Sequence, residues 1–485
     1  MKIVIASPEA VPFVKTGGLA DVAGSLLREF RKAREEAVLV MPLYRAVKGG
    51  RFPLGESGVT VDVPVGTRGI RSRVYHDGNG AFFLEADEFF DRPELYGTAG
   101  GDYADNAARF TFFSRGTLEL CRKLSFRPDV IHCHDWQTGL IPLYLKTTYR
   151  DDSFFRGTAT VLTIHNLGYQ GLFPASEMPL THLGWELFTP EGIEFYGKVN
   201  FLKGGLIAAD ILTTVSETYA REILEPASGF GLDGVLRKRS ADLFGIVNGI
   251  DYEEWDPSRD GHLPATYRKG ELSGKQLCKQ ELFKSVLGDK AGEDPSRVPL
   301  VGMVTRLSEQ KGLDLVIGAL HGLRALGGKI VILGKGDERF QNEMREAARQ
   351  YGSTLSLTIG FDEALAHRIY AGADFFLMPS KYEPCGLGQL IALRYGTIPV
   401  VRRTGGLADT VEDFHPLACT GTGFLFSDYS VPCMLDALKR AFCVFTDRRK
   451  RVAMIRNGMQ ADFSWGRSAK RYIDIYRAAL GRRRE

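Results

Sequence analysis

The sequence offers little for covalent or metal cross-linking. Its seven cysteines (Cys121, Cys133, Cys278, Cys385, Cys419, Cys433 and Cys443) are odd in number and form no C-x-x-C pair. That argues against a disulfide framework or a zinc cluster and fits a reducing compartment. Long apolar runs are missing too. No stretch approaches the ~20 apolar residues of a membrane span, and the opening run Ile3–Ala6 meets Pro8 and Glu9 too early for a signal-peptide core. A cytoplasmic protein without membrane partners is expected. Neither sign of charge dominates: 62 Lys and Arg against 59 Asp and Glu leave +3, so no nucleic-acid binding driven by bulk charge is expected. The 55 glycines follow no triplet period, which excludes collagen-like repeats. There is no G-x-x-x-x-G-K-[ST] loop, and Gly334-Lys335-Gly336, which follows an apolar run, stops short of the dinucleotide G-x-G-x-x-G fingerprint.

What is present is an ordinary globular mixture, 44% hydrophobic and 25% charged. A single core stops growing at about 250–300 residues, so 485 residues predict two domains. Short apolar runs recur near residues 3, 38, 130, 160 and 211, and again near 300, 330, 355, 375 and 398. They do not alternate with polar residues, and helix-length segments separate most of them, which predicts parallel strands covered on both faces. Leu19, Val22, Ala23, Leu26, Leu27 and Phe30 form one apolar helical stripe. Residues 56–86 alternate instead and carry a His76-Asp77-Gly78-Asn79-Gly80 turn, which predicts an antiparallel insertion. A break near Asn248-Gly249-Ile250-Asp251, followed by a polar stretch with a helix around Lys275 to Leu287, divides the chain into domains 1–248 and 249–462. Residues 463–485 form a terminal helix that packs on either domain, with Arg482-Arg483-Arg484 as a frayed end. The expectation is two doubly wound α/β domains facing each other across a cleft, with ligands beyond the carboxyl ends of the strands.

The strongest internal signal is a repeated string. Lys15-Thr16-Gly17-Gly18-Leu19-Ala20-Asp21 is echoed by Arg403-Thr404-Gly405-Gly406-Leu407-Ala408-Asp409. Gly-Gly alone makes a tight turn. Two copies, each preceded by a cation and opening a helix, favour an anion cradle. Arg306 and Lys311 bracket the loop after the strand near 300, a spacing that fits two cations closing on one diphosphate. Tyr382-Glu383-Pro384-Cys385-Gly386-Leu387-Gly388 fixes a lone carboxylate, Glu383, at a strand-to-helix turn, where it suits a substrate hydroxyl or a developing positive charge. Cys385 is a small filler more readily than a reactive thiol. In the first half, His132-Cys133-His134-Asp135-Trp136 and His165-Asn166 end core strands. Clustered His, Asp, Asn and Trp suit sugar binding by hydrogen bonds and ring stacking. The consecutive strand-end placement, without a helical H-x-x-x-H, disfavours zinc. No D-x-D occurs anywhere. A sugar diphosphate would therefore be met by Arg, Lys and helix N-termini rather than by a carboxylate-held metal, and no metal or cofactor is expected.

Taken together, K-T-G-G-L-A-D near the start, H-D-W at 134–136, H-N at 165–166, N-G-I-D at 248–251, R-L-x-x-Q-K-G at 306–312, E-P-C-G-L at 383–387 and R-T-G-G-L-A-D at 403–409 resemble, in order and spacing, the bacterial glycogen synthase and plant starch synthase family. The resemblance spans nearly the whole chain. It implies a GT-B fold and a retaining glucosyltransferase that moves glucose from ADP-glucose to the non-reducing end of an α-1,4-glucan. It also implies that Lys15, Arg306 and Lys311 neutralise the diphosphate, with Gly17, Gly18, Thr404, Gly405 and Gly406 at the donor and Asp21 nearby. Glu383 and the Cys385-Gly386-Leu387 backbone would hold the donor glucose. His165, Asn166, Asn248 and Asp135 would line the sugar side, with Trp136 towards the acceptor. Phe361 stands where many members have Tyr beside the base. A phosphorylase or epimerase on the same fold, or a non-catalytic glucan sensor, are the rival readings.

Overall fold

The computed structural model describes residues 1–98, 100–287 and 293–484. The chain divides into two compact units, Met1–Ile246 with Trp465–Glu485, and Val247–Ser464.

The first unit is built on a nine-stranded sheet. Its spatial order is Leu243–Gly245, Ile211–Thr214, Ala159–Ile164, Val130–His134, Lys2–Ala6, Glu36–Pro42, Ala81–Leu84, Arg68–His76 and Gly55–Val65. The strands from Leu243–Gly245 to Ala81–Leu84 pair in parallel. Arg68–His76 pairs antiparallel with both Ala81–Leu84 and Gly55–Val65. The alternating segment 56–86 therefore extends the main sheet as its edge. Strand Lys2–Ala6 lies between Glu36–Pro42 and Val130–His134, so the direction of winding reverses there. Such a reversal opens a crevice at the carboxyl ends of the strands. The helix Gly18–Lys32 buries the predicted stripe of Leu19, Val22, Ala23, Leu26, Leu27 and Phe30.

The terminal helix Trp465–Arg484 belongs to this first unit. Tyr472, Tyr476 and Ala479 are fully buried, and the Tyr476 ring meets Phe30 edge-on at 5.4 Å between centroids. The expected fraying of the end is not found. The helix continues to Arg484, Arg482 pairs with Asp242, and Arg483 pairs with Asp210 at 3.1 Å. Carboxylates distant in sequence hold the arginines, which composition alone does not reveal.

The second unit carries a six-stranded, wholly parallel sheet in the order Leu355–Ile359, Lys329–Gly334, Leu300–Val304, Phe375–Met378, Ile398–Arg402, Phe424–Phe426. Numbered along the chain this is 3-2-1-4-5-6, the doubly wound dinucleotide-binding order. The reversal lies between Leu300–Val304 and Phe375–Met378. The two loops that leave those strands are the ones carrying Arg306 to Gly312 and Ser380 to Leu387.

Candidate active site

In the second unit, strand order brings together motifs far apart in sequence. The Lys311 ammonium lies 2.6 Å from a Glu383 carboxylate oxygen, and the Ser380 hydroxyl donates to that same oxygen at 2.9 Å. Glu383 is only 5% exposed. The two loops are also joined through backbone: Lys381 N–H donates to the Gln310 carbonyl at 2.8 Å, and the Gln310 amide donates to the Tyr382 carbonyl at 3.1 Å. Lys311 is thus a positioned, carboxylate-bound cation rather than a bare one. Arg306 is exposed and makes no ion pair among the described residues.

The second Gly-Gly string packs directly on the Glu383 loop. A Cβ at Gly405 would lie 2.0 Å from the Glu383 carbonyl oxygen, and one at Gly406 would lie 2.2 Å from that of Cys385. Gly405 also sits at φ +44°, in the left-handed region. The Gly406 N–H donates to the Glu383 and Pro384 carbonyls, both at 3.1 Å. This corrects the expectation that Gly406 offers its amide to an anion. The pair is glycine so that two backbones can touch, and their touching fixes the direction of Glu383. Thr404 is the buried residue that caps the helix Gly405–Thr410. Gln389 completes the turn by donating its amide to the carbonyls of Cys385 and Gly386, each at 3.0 Å. Burial pushes the Cys385 thiol up to about 12, which keeps it neutral and non-nucleophilic. It lies beside the Asn248 backbone, and the Asn248 side-chain oxygen is buried without a hydrogen-bond partner. Leu387 precedes the short helix Gly388–Arg394. Phe361 is 89% exposed and makes no ring contact among the described residues.

In the first unit, Gly17 and Gly18 head a 15-residue helix, where the first amides have no intrahelical acceptor. The Lys15 ammonium is held by Asp21 at 2.8 Å, so this cation too is paired rather than bare. Burial raises the Asp21 carboxyl above its ordinary range against the pull of Lys15. The loop is anchored by Glu9, a buried carboxylate. Glu9 accepts from the Thr16 N–H at 2.5 Å, the Thr16 hydroxyl at 2.6 Å and the Tyr96 hydroxyl at 2.6 Å.

His165 and Asp135 are brought together at the ends of neighbouring strands. The His165 backbone N–H donates to Asp135 Oδ1 at 2.7 Å, and the ring Nε2 of His165 lies 2.9 Å from His134 Nδ1. Asp135 adopts φ +56°, ψ −169°, a region that costs a non-glycine residue about 1–3 kcal/mol. Its side chain caps the next strand's exit, which compensates. Burial raises the Asp135 carboxyl to about 8 and lowers His165 to about 3. Behind them His132 and His134 are wholly buried and neutral, so they support the site and do not reach a ligand. Asn166 folds back to accept from the Gly168 N–H at 3.0 Å. Trp136 corrects another expectation. It is 8% exposed, and its ring is taken edge-on by Phe110 and Phe173 at 4.8 and 5.7 Å. Its faces serve the core and are not free to stack on a sugar.

Glu9, Ser380 and Gln389 were not singled out from sequence, and Gln310 entered only as a letter of the R-L-x-x-Q-K-G motif. None sits on a periodic pattern: Glu9 and Gln310 matter through partners from other segments, and Ser380 and Gln389 turn back onto the Glu383 loop itself.

Two parallel-type Rossmann units with cation, carboxylate and glycine loops at their winding reversals define a glycosyltransferase of the GT-B class. Residues 2–238 match the family described as starch synthase catalytic domain, and residues 289–461 match glycosyl transferases group 1. The glycogen synthase of Thermodesulfovibrio yellowstonii is 48% identical over 100% of this chain and 99% of its own length. That of Geotalea daltonii is 47% identical over the whole of both chains. Among solved structures, the catalytic domain of starch synthase IV from Arabidopsis thaliana, bound to ADP and acarbose, superposes with a TM-score of 0.89 at 34% identity, covering 99% of each chain. The chain belongs to the starch and glycogen synthase family of glycosyltransferases.

Proposed function

We propose that this protein is a glycogen synthase that transfers glucose from ADP-glucose to the non-reducing 4-hydroxyl of an α-1,4-glucan with retention of configuration. The observation that carries the reading is the buried Lys311–Glu383–Ser380 group at the winding reversal of the second sheet. An ammonium has three donors; Glu383 takes one, which leaves Lys311 able to reach a phosphate oxygen while its direction is fixed. Arg306 adds an exposed planar fork. Glu383 and the backbone of Cys385, Gly386 and Leu387 hold the donor glucose, with Asn248, Thr404 and Gly405 around them. In the first unit, Lys15 and the amides of Gly17 and Gly18 meet phosphate, steadied by Asp21 and Glu9, while His165, Asp135 and Asn166 bond sugar hydroxyls. Phe361 offers its exposed ring to the base.

In the reaction, the bond from glucose C1 to the diphosphate breaks, and the acceptor oxygen bonds to C1 from the face the diphosphate leaves. The hydroxyl proton passes to the departing phosphate oxygen. Cations and amides aimed at the leaving charge supply the acceleration, commonly about 3–4 kcal/mol per donor removed. ADP bound to the starch synthase IV relative supports adenine as the base, and the free cysteines support a reducing cytoplasm. The test is incorporation of labelled glucose into glycogen from ADP-glucose and from UDP-glucose. Preference for ADP-glucose is expected. Silence with both donors would refute the synthase reading and favour a sensor.

A further inference from the structure

Away from that group, the second unit contains a cavity of about 310 Å³ lined by Glu253, Glu254, Arg259, Asp260, Gly261, His262, Glu363 and His367. Glu363 and His367 are four residues apart on the helix Glu363–Gly372, so they share a face. His262 reaches the same place from the distant loop 251–262. One donor atom from each of His262, Glu363 and His367 lies within 4.8 Å of one from the other two.

His367 is the informative member. It is only 3% exposed, its Nδ1 lies 2.7 Å from Asp260 Oδ2, and its Nε2 is buried with no hydrogen-bond partner. A buried ring nitrogen left unpaired costs about 1–3 kcal/mol, so its retention calls for a reason. The ring cannot turn away. Trp255 stacks on it at 4.2 Å and 16°, and Asp260 is fixed in turn by the Tyr395 hydroxyl at 2.6 Å and the His262 backbone N–H at 2.9 Å. A carboxylate that holds one imidazole nitrogen so that the other faces outward is the usual second layer of a metal-binding histidine.

We propose that His262, Glu363 and His367 form a divalent transition-metal site of the zinc type, separate from the glycosyl-transfer residues. Two imidazoles and one carboxylate suit Zn²⁺ or Co²⁺ in a tetrahedral arrangement with a fourth, water-filled position. Zinc bonds of about 2.0–2.1 Å place tetrahedral ligands roughly 3.4 Å apart. Closing from separations of up to 4.8 Å takes as much as about 1.4 Å, which the exposed side chains of His262 and Glu363 can supply while His367 stays fixed. Glu253 and Glu254 add negative charge at the rim, against Arg259 on the wall and Arg368, which donates to the His262 carbonyl at 3.1 Å. A bound ion would tie the loop 251–262 to the helix Glu363–Gly372.

The test is titration of the metal-stripped full chain with Co²⁺ and then Zn²⁺. About one Co²⁺ per chain should develop the visible absorption of a tetrahedral site, Zn²⁺ should displace it, and Zn²⁺ should raise the thermal midpoint. His262→Ala and Glu363→Gln, both at exposed positions, should each weaken binding by more than the roughly 10–100-fold that outer partners are worth and abolish the midpoint shift. Failure of the chain to take up stoichiometric ion would overturn the site. So would an unchanged spectrum in either variant, which would place the ion elsewhere, for example at the histidines of the first unit.

Discussion

Glu383 is a carboxyl group taken almost wholly out of water, and Lys311 and Ser380 both point at one of its oxygens. Removing either member of such a pair strands the other, at about 3–5 kcal/mol, whereas replacing both is far cheaper. Lys311→Ala and Glu383→Ala should therefore each lower stability in thermal melts. The double variant Lys311→Met with Glu383→Gln should melt above both. All three should lose turnover, Lys311→Ala by about 10²–10³ in kcat, the scale of one lost transition-state donor. A double variant no more stable than the singles would show that the two residues are not coupled. Gly405 and Gly406 act at the same scale through absence: any side chain there would strike the Glu383 loop.

Among the elements, the helix Trp465–Arg484 has the least local reason to lie where it does, since it closes onto a sheet begun more than four hundred residues earlier. Its Tyr476 hydroxyl lies 2.7 Å from His132 Nδ1, His132 Nε2 lies 2.6 Å from the Thr163 hydroxyl, and that lies 2.6 Å from the Thr213 hydroxyl. With His132 neutral, the relay runs one way along its whole length: tyrosine to Nδ1, Nε2–H to Thr163 and Thr163 to Thr213, or all three bonds reversed. Tyr476→Phe keeps the ring and breaks the first link, leaving a buried nitrogen unpaired. It should cost about 1–3 kcal/mol in denaturant unfolding. Arg482→Ala, which removes a surface pair, should cost less than about 1 kcal/mol. Equal losses would mean that the helix is held by its exposed end rather than by its buried tyrosine.

For the whole molecule, the buried titratable cluster of the first unit sets a pH dependence. His132 and His165 are lowered by burial to about 3, and His134 also lies well below its ordinary value. The unfolded chain protonates these rings near pH 6.5, so it binds more protons than the folded chain, and stability falls as pH drops from about 6.5 towards 3. Asp135 acts in the opposite sense. Raised to about 8, it holds a proton that the unfolded chain has already lost above about pH 3.9, so its share of stability falls as pH rises towards 8. Below pH 6.5 three rings outweigh one carboxyl. Thermal midpoints measured across pH should show His165→Gln shallower than the parent on the acid side and Asp135→Asn shallower between pH 6.5 and 8. Parallel profiles for parent and variants would contradict this assignment.

Much of the molecule is written locally. The apolar runs that become parallel strands, the stripe of helix Gly18–Lys32 and the ordered motifs are all contiguous patterns of residue type, and burial of an apolar face acts on them wherever the strand falls. Strand order is another matter. That Leu300–Val304 neighbours Phe375–Met378, so that Lys311 meets Glu383, is decided by which long-range pairing closes the sheet. The commitment of the Gly406 amide to the Glu383 loop, the sealing of Trp136 between phenylalanines and the unpaired Nε2 of His367 follow from the same kind of closure. Residue type and spacing establish which groups the chain carries; which of their donors and faces are already spent is fixed only when distant segments pack, because hydrogen bonds and ring contacts reach only a few ångströms and no local pattern encodes their partners.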